Sequence, residues 1–294
     1  MKNKSIKAYA KINLYLDILS KRDDGYHEIR SVMHKISLFD EITVSVKRSD
    51  RESTVVIRCN DPSVPLGEKN IAYKAAKKYL DTFCKDSYEV SVDINKRIPM
   101  AGGLAGGSTD AAATLRLMAD ILCANESSYE LYSLAATLGA DVPFCLADGA
   151  CITEGIGERL SPVPSLQNCF LLISNSKETV STPDAYATLD SEHDDFSSVC
   201  FDSDRFNRLL RGLETGDAKA VADSTFNIFE SAILKEKPLA ASSKQIMLNH
   251  GALTAMMSGS GPTVFGIFDE EEKAKQTCAK LLDLGHIAYV CTPI

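Results

Sequence analysis

The segment at residues 99–113, with the sequence PMAGGLAGGSTDAAA, constrains this chain more than any other. Its four glycines let the backbone turn tightly and approach a ligand closely. Ser108 or Thr109 predicts a helix start, because both are good N-cap residues, and Asp110 would complement the positive end of the helix dipole. Residues 89–94 alternate like a strand, so the predicted order is strand, glycine-rich loop and helix. Free backbone N–H groups at such a helix start bind anions, which predicts a phosphate-binding loop.

Two common glycine-rich loops do not fit this segment. A P-loop requires a lysine directly after its last glycine, and Ser108 stands there instead. The dinucleotide-binding fingerprint requires glycines at its first, third and sixth positions, and no choice among the four glycines satisfies this spacing. A plain structural turn is the remaining alternative, and it is disfavoured because a turn rarely needs this many glycines.

Composition limits the class of protein. The chain has 294 residues, of which 45% are hydrophobic and 24% charged, as in an ordinary globular protein of one or two domains. Its formal net charge of -8 argues against nonspecific binding to nucleic acid. The sequence shows no signal peptide and no membrane-spanning stretch, and its nine cysteines form no Cys-x-x-Cys pair. These features predict reduced thiols, a cytoplasmic location and no membrane partner.

Near the amino terminus, residues 8–18 alternate between apolar and polar side chains. This pattern predicts a half-buried strand with a polar face that carries Lys11 and Asn13. Taken alone, these two residues favour a solvated outer face. The turn signal at residues 24–25 places Tyr26 and His27 just after the turn, where the next strand would begin.

The glycine-rich segment resembles the second motif of the GHMP kinases, whose pattern is Pro-x-x-x-Gly-Leu followed by small residues and Ser. Residues 256–265, MMSGSGPTVF, are similar to the third motif. Residues 10–16, AKINLYL, with 24–28, DGYHE, resemble the amino-terminal signature of one branch of this family, and residues 139–143, GADVP, are typical of that branch. The resemblance therefore covers most of the chain, with all three family motifs in order.

This resemblance implies an α+β, two-domain GHMP kinase fold, with a mixed-sheet amino-terminal domain and a smaller carboxy-terminal α/β sandwich. The proline-containing stretch 161–165 is the best candidate linker. We therefore expect an ATP-binding amino-terminal domain over residues 1–161 and a carboxy-terminal domain over residues 162–294. Within the second domain, residues 218–234 are predicted to form one helix.

The reaction implied by the resemblance is phosphoryl transfer from ATP, with Mg²⁺, to a hydroxyl group of a small molecule. The acceptor would be the hydroxyl at position 2 of the methylerythritol part of a cytidine diphosphate derivative. This reaction is a step of the non-mevalonate isoprenoid pathway. The enzyme would act as a monomer or homodimer.

The resemblance also implies roles for individual residues. Asp141 would accept the proton of the substrate hydroxyl, and Lys11 would stabilise that carboxylate and hold the hydroxyl. The alternative for Asp141 is a structural role in capping the following turn. Two aromatic rings would sandwich the cytosine while a histidine reads its polar edge. The expected substrate-binding residues are Asn13, Tyr26, His27 and Tyr186.

ATP would lie in the glycine-rich loop, with two further residues near the nucleotide. Of these, Asn70 is also predicted to cap a helix, and a solvated lysine is the alternative for Lys96. The motif departs from the common Ser-Ser or Ser-Asn at Thr109-Asp110, although threonine keeps a hydroxyl. The sequence does not indicate which groups hold the metal. The expected ATP-binding residues are Asn70, Lys96, Pro99, Met100, Ala101, Gly102, Gly103, Leu104, Ala105, Gly106, Gly107, Ser108 and Thr109.

Two alternative functions remain at this point. One is another GHMP kinase, of homoserine or mevalonate type, against which the aromatic residues argue because neither substrate needs a clamp for a base. The other is a noncatalytic sugar-sensing homologue, against which the presence of Lys11 and Asp141 argues. The acidic stretch 190–203 carries no functional signal and is predicted to be the least ordered.

Overall fold

A computed structural model describes residues 1–124, 126–192, 196 and 201–294 of the chain. The strands are β1 (Lys2–Lys21), β2 (His27–Arg48), β3 (Thr54–Cys59), β4 (Tyr88–Asn95), β5 (Ala150–Gly155), β6 (Arg159–Val163), β7 (Phe170–Asn175), β8 (Phe226–Asn227), β9 (Thr254–Met257), β10 (Val264–Phe268) and β11 (Ile287–Cys291). The helices are α1 (Ile71–Phe83), α2 (Gly106–Leu122), α3 (Ser128–Ala136), α4 (Val142–Leu146), α5 (Thr182–Glu192), α6 (Ser203–Thr215), α7 (Ala218–Ser224), α8 (Glu230–Glu236), α9 (Pro238–Asn249) and α10 (Glu271–Asp283).

The strands form two sheets. The larger is mixed and has the order β3-β4-β2-β1-β8, with β5 paired to β2 and β6 paired to β5. Its β3–β4 and β1–β8 pairs are parallel, whereas β2 is antiparallel to β4 and to β5. The smaller sheet is antiparallel, with the order β11-β7-β10-β9. The predicted α+β class, with a mixed sheet and a second, smaller sheet, is confirmed.

The chain packs into two compact units that are not continuous in sequence. The long strands β1 and β2 each contribute residues to both units, so the two units are not separated at a single point of the chain. The predicted domain boundary after residue 161 stays a prediction. The first unit consists of Met1–Ala10, Leu38–Met100 and Ala105–Asp148, and the second of Lys11–Ser37, Ala101–Leu104 and Gly149–Ile294.

The predicted linker at residues 161–165 is wrong in its first three residues. These residues end β6, which pairs with β5, and Pro162 lies opposite Cys151 in that register. Proline lacks a backbone N–H, but an edge strand tolerates it because one side of its ladder has no neighbour to bond. The composition of the stretch is that of a linker, whereas its pairing is that of a strand.

The predicted single helix at residues 218–234 is also wrong. Helix α7 ends at Ser224, the short strand β8 follows, and α8 begins at Glu230. In β8, Phe226 pairs with Tyr15 of β1, and this pairing overrides the local helical preference.

The acidic stretch 190–203 is described only in part. Asp190 lies in α5, whereas Asp194, Asp195 and Cys200 lie outside the described residues. Elsewhere, none of the described helices has both the length and the apolar composition that a membrane span requires.

Candidate active site

In the second unit, Lys11 and Asn13 are buried, at 4% and 1% exposure, so the solvated outer face is wrong. The predicted strand at residues 8–18 lies within β1, but it is buried on both faces rather than half-buried. Lys11 Nζ donates a hydrogen bond to Asn13 Oδ1 at 2.7 Å, and Asn13 Nδ2 donates to Ser31 Oγ at 2.8 Å. The Ser31 hydroxyl in turn donates to the Tyr15 carbonyl at 2.5 Å. Because a buried ammonium is costly unless it is hydrogen-bonded, this chain of contacts holds Lys11 in a defined place.

A second glycine turn, at residues 257–261, covers the face of β1 that carries Lys11. The Ser258 hydroxyl donates to the Gly103 carbonyl at 3.0 Å, and the Lys11 backbone N–H donates to the Leu104 carbonyl at 3.2 Å. Gly103 has a φ of +73°, and a Cβ there would lie 2.1 Å from the Ser258 carbonyl oxygen. A Cβ on Gly259 would lie 3.5 Å from Lys11 Nζ. The first part of the glycine-rich loop, the second glycine turn and the Lys11 ammonium therefore meet within one unit.

The helix after the glycine-rich loop begins at Gly106, two or three residues earlier than the predicted start at Ser108 or Thr109. Ala105 occupies the N-cap position in a left-handed conformation, with a φ of 55°. Instead of capping, the Thr109 hydroxyl donates to the Tyr9 carbonyl at 2.8 Å. The predicted caps at Ser108 and Thr109 are therefore wrong, because the glycines themselves form the first helical turn. An alanine cap offers no side-chain acceptor to the first backbone N–H groups of this helix, and such groups at a helix start favour anions.

Beneath this turn, Lys96 is buried with two carboxylates, so the alternative of a solvated lysine is wrong. Its Nζ donates to Asp40 Oδ2 at 2.5 Å and to Asp110 Oδ2 at 2.9 Å. Asp40 Oδ1 accepts the backbone N–H groups of Arg97 and Ile98 at 2.5 and 2.8 Å. The three side chains therefore tie the start of the glycine-rich loop to the first turn of α2.

The charges of this cluster are shared within it. Burial by itself lowers the pKa of Lys96, but the carboxylates of Asp110 and Asp40 outweigh this and raise it above its ordinary value. Two carboxylates share one ammonium, and burial raises the pKa of the Asp110 carboxyl, which favours its neutral form. Asp110 thus pairs with Lys96 rather than simply complementing the helix dipole. The nucleotide contact expected of Lys96 stays a prediction.

A cluster of aromatic and charged residues surrounds His27. Its Nε2 lies 2.7 Å from Asp190 Oδ1, and its ring stacks on Tyr186 with the centroids 4.8 Å apart. Lys21 Nζ donates to Asp190 Oδ2 at 2.6 Å. Burial alone would raise the pKa of Asp190, but hydrogen bonds from Lys21 and His27 hold it below its ordinary value. His27 and Tyr186, predicted in different domains, therefore lie together in the second unit.

Tyr26 occupies the turn beside this cluster. Its side chain is 60% exposed, and its backbone N–H donates to Asp24 Oδ1 at 3.1 Å. An exposed ring on an ordered turn suits contact with a ligand. Its expected place against a base stays a prediction.

In the first unit, Asp141 directly precedes α4. It occupies the N-cap position, but its side chain makes no capping hydrogen bond to the described residues of this helix. The alternative of a helix-capping aspartate is therefore wrong, whereas the catalytic role stays a prediction.

Asn70 is a confirmed helix cap in the same unit. Its Oδ1 accepts the Ala72 and Tyr73 backbone N–H groups at 2.8 and 3.4 Å, and its Nδ2 donates to the Pro65 carbonyl at 2.8 Å. The amide is committed to the helix and the preceding loop, so contact with the adenine stays a prediction.

Sequence reasoning missed Asp40 and Asp190 as parts of these clusters. Asp40 pairs with Lys96, which lies 56 positions away in the sequence, and Asp190 pairs with His27, which lies 163 positions away. Asp190 stands in a stretch whose composition carried no functional signal, so neither contact had a local signature.

Comparisons with known proteins identify the family of this chain. A family model described as GHMP kinases N terminal domain matches residues 70–149, and one described as GHMP kinases C terminal matches residues 209–286. A protein of Lachnoclostridium phytofermentans named 4-diphosphocytidyl-2-C-methyl-D-erythritol kinase is 40% identical over 273 residues, covering 92% of this chain and 90% of the relative.

Solved structures show the same fold. A crystal structure of 4-(cytidine 5'-diphospho)-2C-methyl-D-erythritol kinase has a TM-score of 0.78 and 28% identity, covering 99% of each chain. A homoserine kinase from Cytophaga hutchinsonii has a TM-score of 0.74 and 23% identity, covering 100% of this chain and 96% of its own. At 23% identity, the likeness to the homoserine kinase shows the fold alone.

Proposed function

This chain belongs to the GHMP kinase family, among the 4-diphosphocytidyl-2-C-methyl-D-erythritol kinases, and from that premise we propose that it phosphorylates the position-2 hydroxyl of 4-diphosphocytidyl-2-C-methyl-D-erythritol. Membership makes it an ATP-dependent small-molecule kinase of isoprenoid biosynthesis. The observation that carries the choice of substrate is the stack of His27 on Tyr186, anchored by Asp190, because a flat base suits such a surface.

Phosphoryl transfer depends on positioning and charge stabilisation more than on covalent chemistry. The ATP phosphates would lie against the glycine-rich loop, residues 99–109, where backbone N–H groups and the start of α2 favour anions. Among the described residues, no group of three or more His, Cys, Asp or Glu side chains could hold a metal ion. Because Mg²⁺ is commonly held by substrate phosphates with one or two carboxylates, we treat it as arriving with ATP.

Three polar residues would act on the acceptor hydroxyl. Asp141 would take its proton as the oxygen attacks the γ-phosphorus, and the bond to the bridging oxygen of ADP would break. Lys11 would stabilise the charge on the reacting oxygens, and Asn13 would position the acceptor through its contact with Lys11.

The cytosine would lie between Tyr26 and the His27–Tyr186 stack. A carboxylate oxygen can only accept, so His27 Nε2–H would donate to Asp190, and in the neutral ring the other nitrogen would be an acceptor. Such an acceptor, with nearby backbone groups, can read the amino group that distinguishes cytosine from uracil.

Calorimetry should show that CDP binds and that UDP binds much more weakly. Tyr26→Ala and Tyr186→Ala should each weaken CDP binding by about 10- to 100-fold, since base stacking contributes roughly 1–3 kcal/mol per base. Binding of an ATP analogue should be unchanged. Tyr129→Ala is the matched control, because Tyr129 is 80% exposed and belongs to α3.

Equal affinity for CDP and UDP, or no effect of either substitution, would show that the cytidine site is wrongly assigned. Measuring ATP consumption with the proposed substrate, homoserine and mevalonate separates the remaining GHMP activities. Turnover of homoserine or mevalonate alone would contradict the proposed substrate.

Gly106→Ala should weaken ATP-analogue binding while sparing CDP binding. A Cβ there would lie 2.9 Å from Lys96 Nζ and 3.1 Å from Ile98 Cγ2, so packing requires the glycine. Overpacking costs about 1–3 kcal/mol, which corresponds to about 10- to 100-fold in affinity if the loop is displaced.

Gly67→Ala is the control for this substitution, because a Cβ at Gly67 has nothing within 4 Å. Both variants would be titrated with the ATP analogue and with CDP. Equal losses of both ligands in Gly106→Ala would indicate misfolding and remove the support for a phosphate site.

We also propose a reducing, cytoplasmic setting and a monomer or homodimer. The eight described cysteines support the setting, since all are free thiols. Sedimentation at several concentrations would measure the oligomeric state.

A further inference from the structure

Asn227 lies directly behind the second glycine turn, which consists of residues 257–261. Its Nδ2 donates to the Met257 carbonyl at 2.7 Å and to the Gly259 carbonyl at 2.8 Å. Its Oδ1 accepts the Phe229 backbone N–H at 3.0 Å. The side chain is buried, so both amide hydrogens and the amide oxygen are used inside the protein.

A second side chain from the same segment holds the turn at Met257. Glu230 Oε2 accepts the Met257 backbone N–H at 2.8 Å, and Lys244 Nζ donates to the other carboxylate oxygen of Glu230. Asn227 and Glu230 therefore bind the carbonyl and the N–H of one residue. The turn is closed on itself by the Ser258 N–H, which donates to the Thr263 carbonyl at 2.9 Å.

The held turn reaches two groups of the proposed active site. Its Ser258 contacts Gly103 of the glycine-rich loop, and its Gly259 packs close to Lys11 Nζ. A Cβ on Gly103 would overlap the Ser258 carbonyl, so there is no free space between loop and turn. A displacement of the turn therefore has to move the loop or the ammonium.

We propose that Asn227 is a positioning residue for phosphoryl transfer, which it serves by fixing the second glycine turn against Gly103 and Lys11. The identity of the acceptor in this proposal rests on the proposed function, whereas the contact with the ATP-binding loop does not. The position requires two donors and one acceptor on a short side chain, and asparagine supplies that combination. An aspartate of the same shape would place a carboxylate against two carbonyl oxygens.

Asn227→Asp is expected to lower kcat by about 10²-fold, because small displacements of reacting groups are costly. Affinity for an ATP analogue should fall about tenfold, because the Met257 and Gly259 carbonyls would lose their donors inside the protein. Affinity for CDP should be unchanged. If Asn227→Asp does not fold, Asn227→Ala, measured at low temperature, carries the same expectations without the added charge.

Asn175→Asp is the matched control. Asn175 is equally buried, and its Nδ2 donates to the Thr263 hydroxyl at 2.9 Å. A hydroxyl can rotate and donate to the new carboxylate, whereas the carbonyls of Met257 and Gly259 cannot. The control should therefore retain turnover and ATP-analogue affinity.

Wild-type turnover and ATP-analogue affinity in folded Asn227 variants would overturn the proposal. So would losses that match those of Asn175→Asp or that follow the melting temperature alone, since these indicate only a structural role. If the wild-type enzyme does not phosphorylate the proposed substrate, the proposed function fails, and ATP-analogue binding still tests the role of Asn227.

Discussion

Asp141→Asn is expected to lower turnover by about 10²–10⁴-fold, the usual effect of losing a positioned general base. Asparagine has the same shape but cannot take the proton of the acceptor hydroxyl. The side chain of Asp141 does not cap α4, so the exchange removes no helix cap from the described structure. We therefore expect the melting temperature and the ATP-analogue affinity to stay close to the wild-type values.

Asp148→Asn provides the control for general effects of removing an acidic group from this unit. Asp148 has a side chain that is 92% exposed and lies 3.8 Å from Arg116. Exposed ion pairs of this kind contribute roughly 0–1 kcal/mol, so turnover should be retained. Near-normal turnover in a folded Asp141→Asn protein would exclude Asp141 as the general base.

Lys11→Met is expected to lower kcat by about 10²–10³-fold, because it removes a fixed positive charge from the reacting oxygens. Methionine keeps most of the length and apolar volume of the side chain. The exchange leaves Asn13 Oδ1 without its bond from Lys11, but it also removes a buried charge. Since these two effects oppose each other, we expect only a small change in melting temperature.

Lys35→Met is the matched control, because Lys35 is also a buried lysine of the second unit. Steady-state kinetics and thermal unfolding would be measured for both variants. A Lys11→Met protein that unfolds readily but remains active at low temperature would show that Lys11 is structural. Losses of kcat that are equal in both variants would give the same conclusion.

Local patterns in the sequence were sufficient for much of the fold. The predicted strand at residues 89–94 lies within β4, and the predicted cap at Asn70 agrees with the start of α1. Alternation and capping act over a few neighbouring residues, so a single segment carries the whole signal. The family was recognisable for the same reason, because each of its motifs is a short continuous string.

Tertiary contacts decided the arrangement of the candidate site. The carboxylates that pair with Lys96 and His27 lie 14 to 163 positions away, and Asn227 Nδ2 donates to carbonyls 30 and 32 positions away. No local pattern predicts such pairs. The polar face of β1 looked solvated in the sequence, yet it is buried where the loop and the second glycine turn cover it. The helix predicted across residues 218–234 is interrupted where Phe226 pairs with β1. By itself the sequence determined the local elements, the motifs and the chemistry they offer, whereas burial and pairing depend on which distant segments pack together.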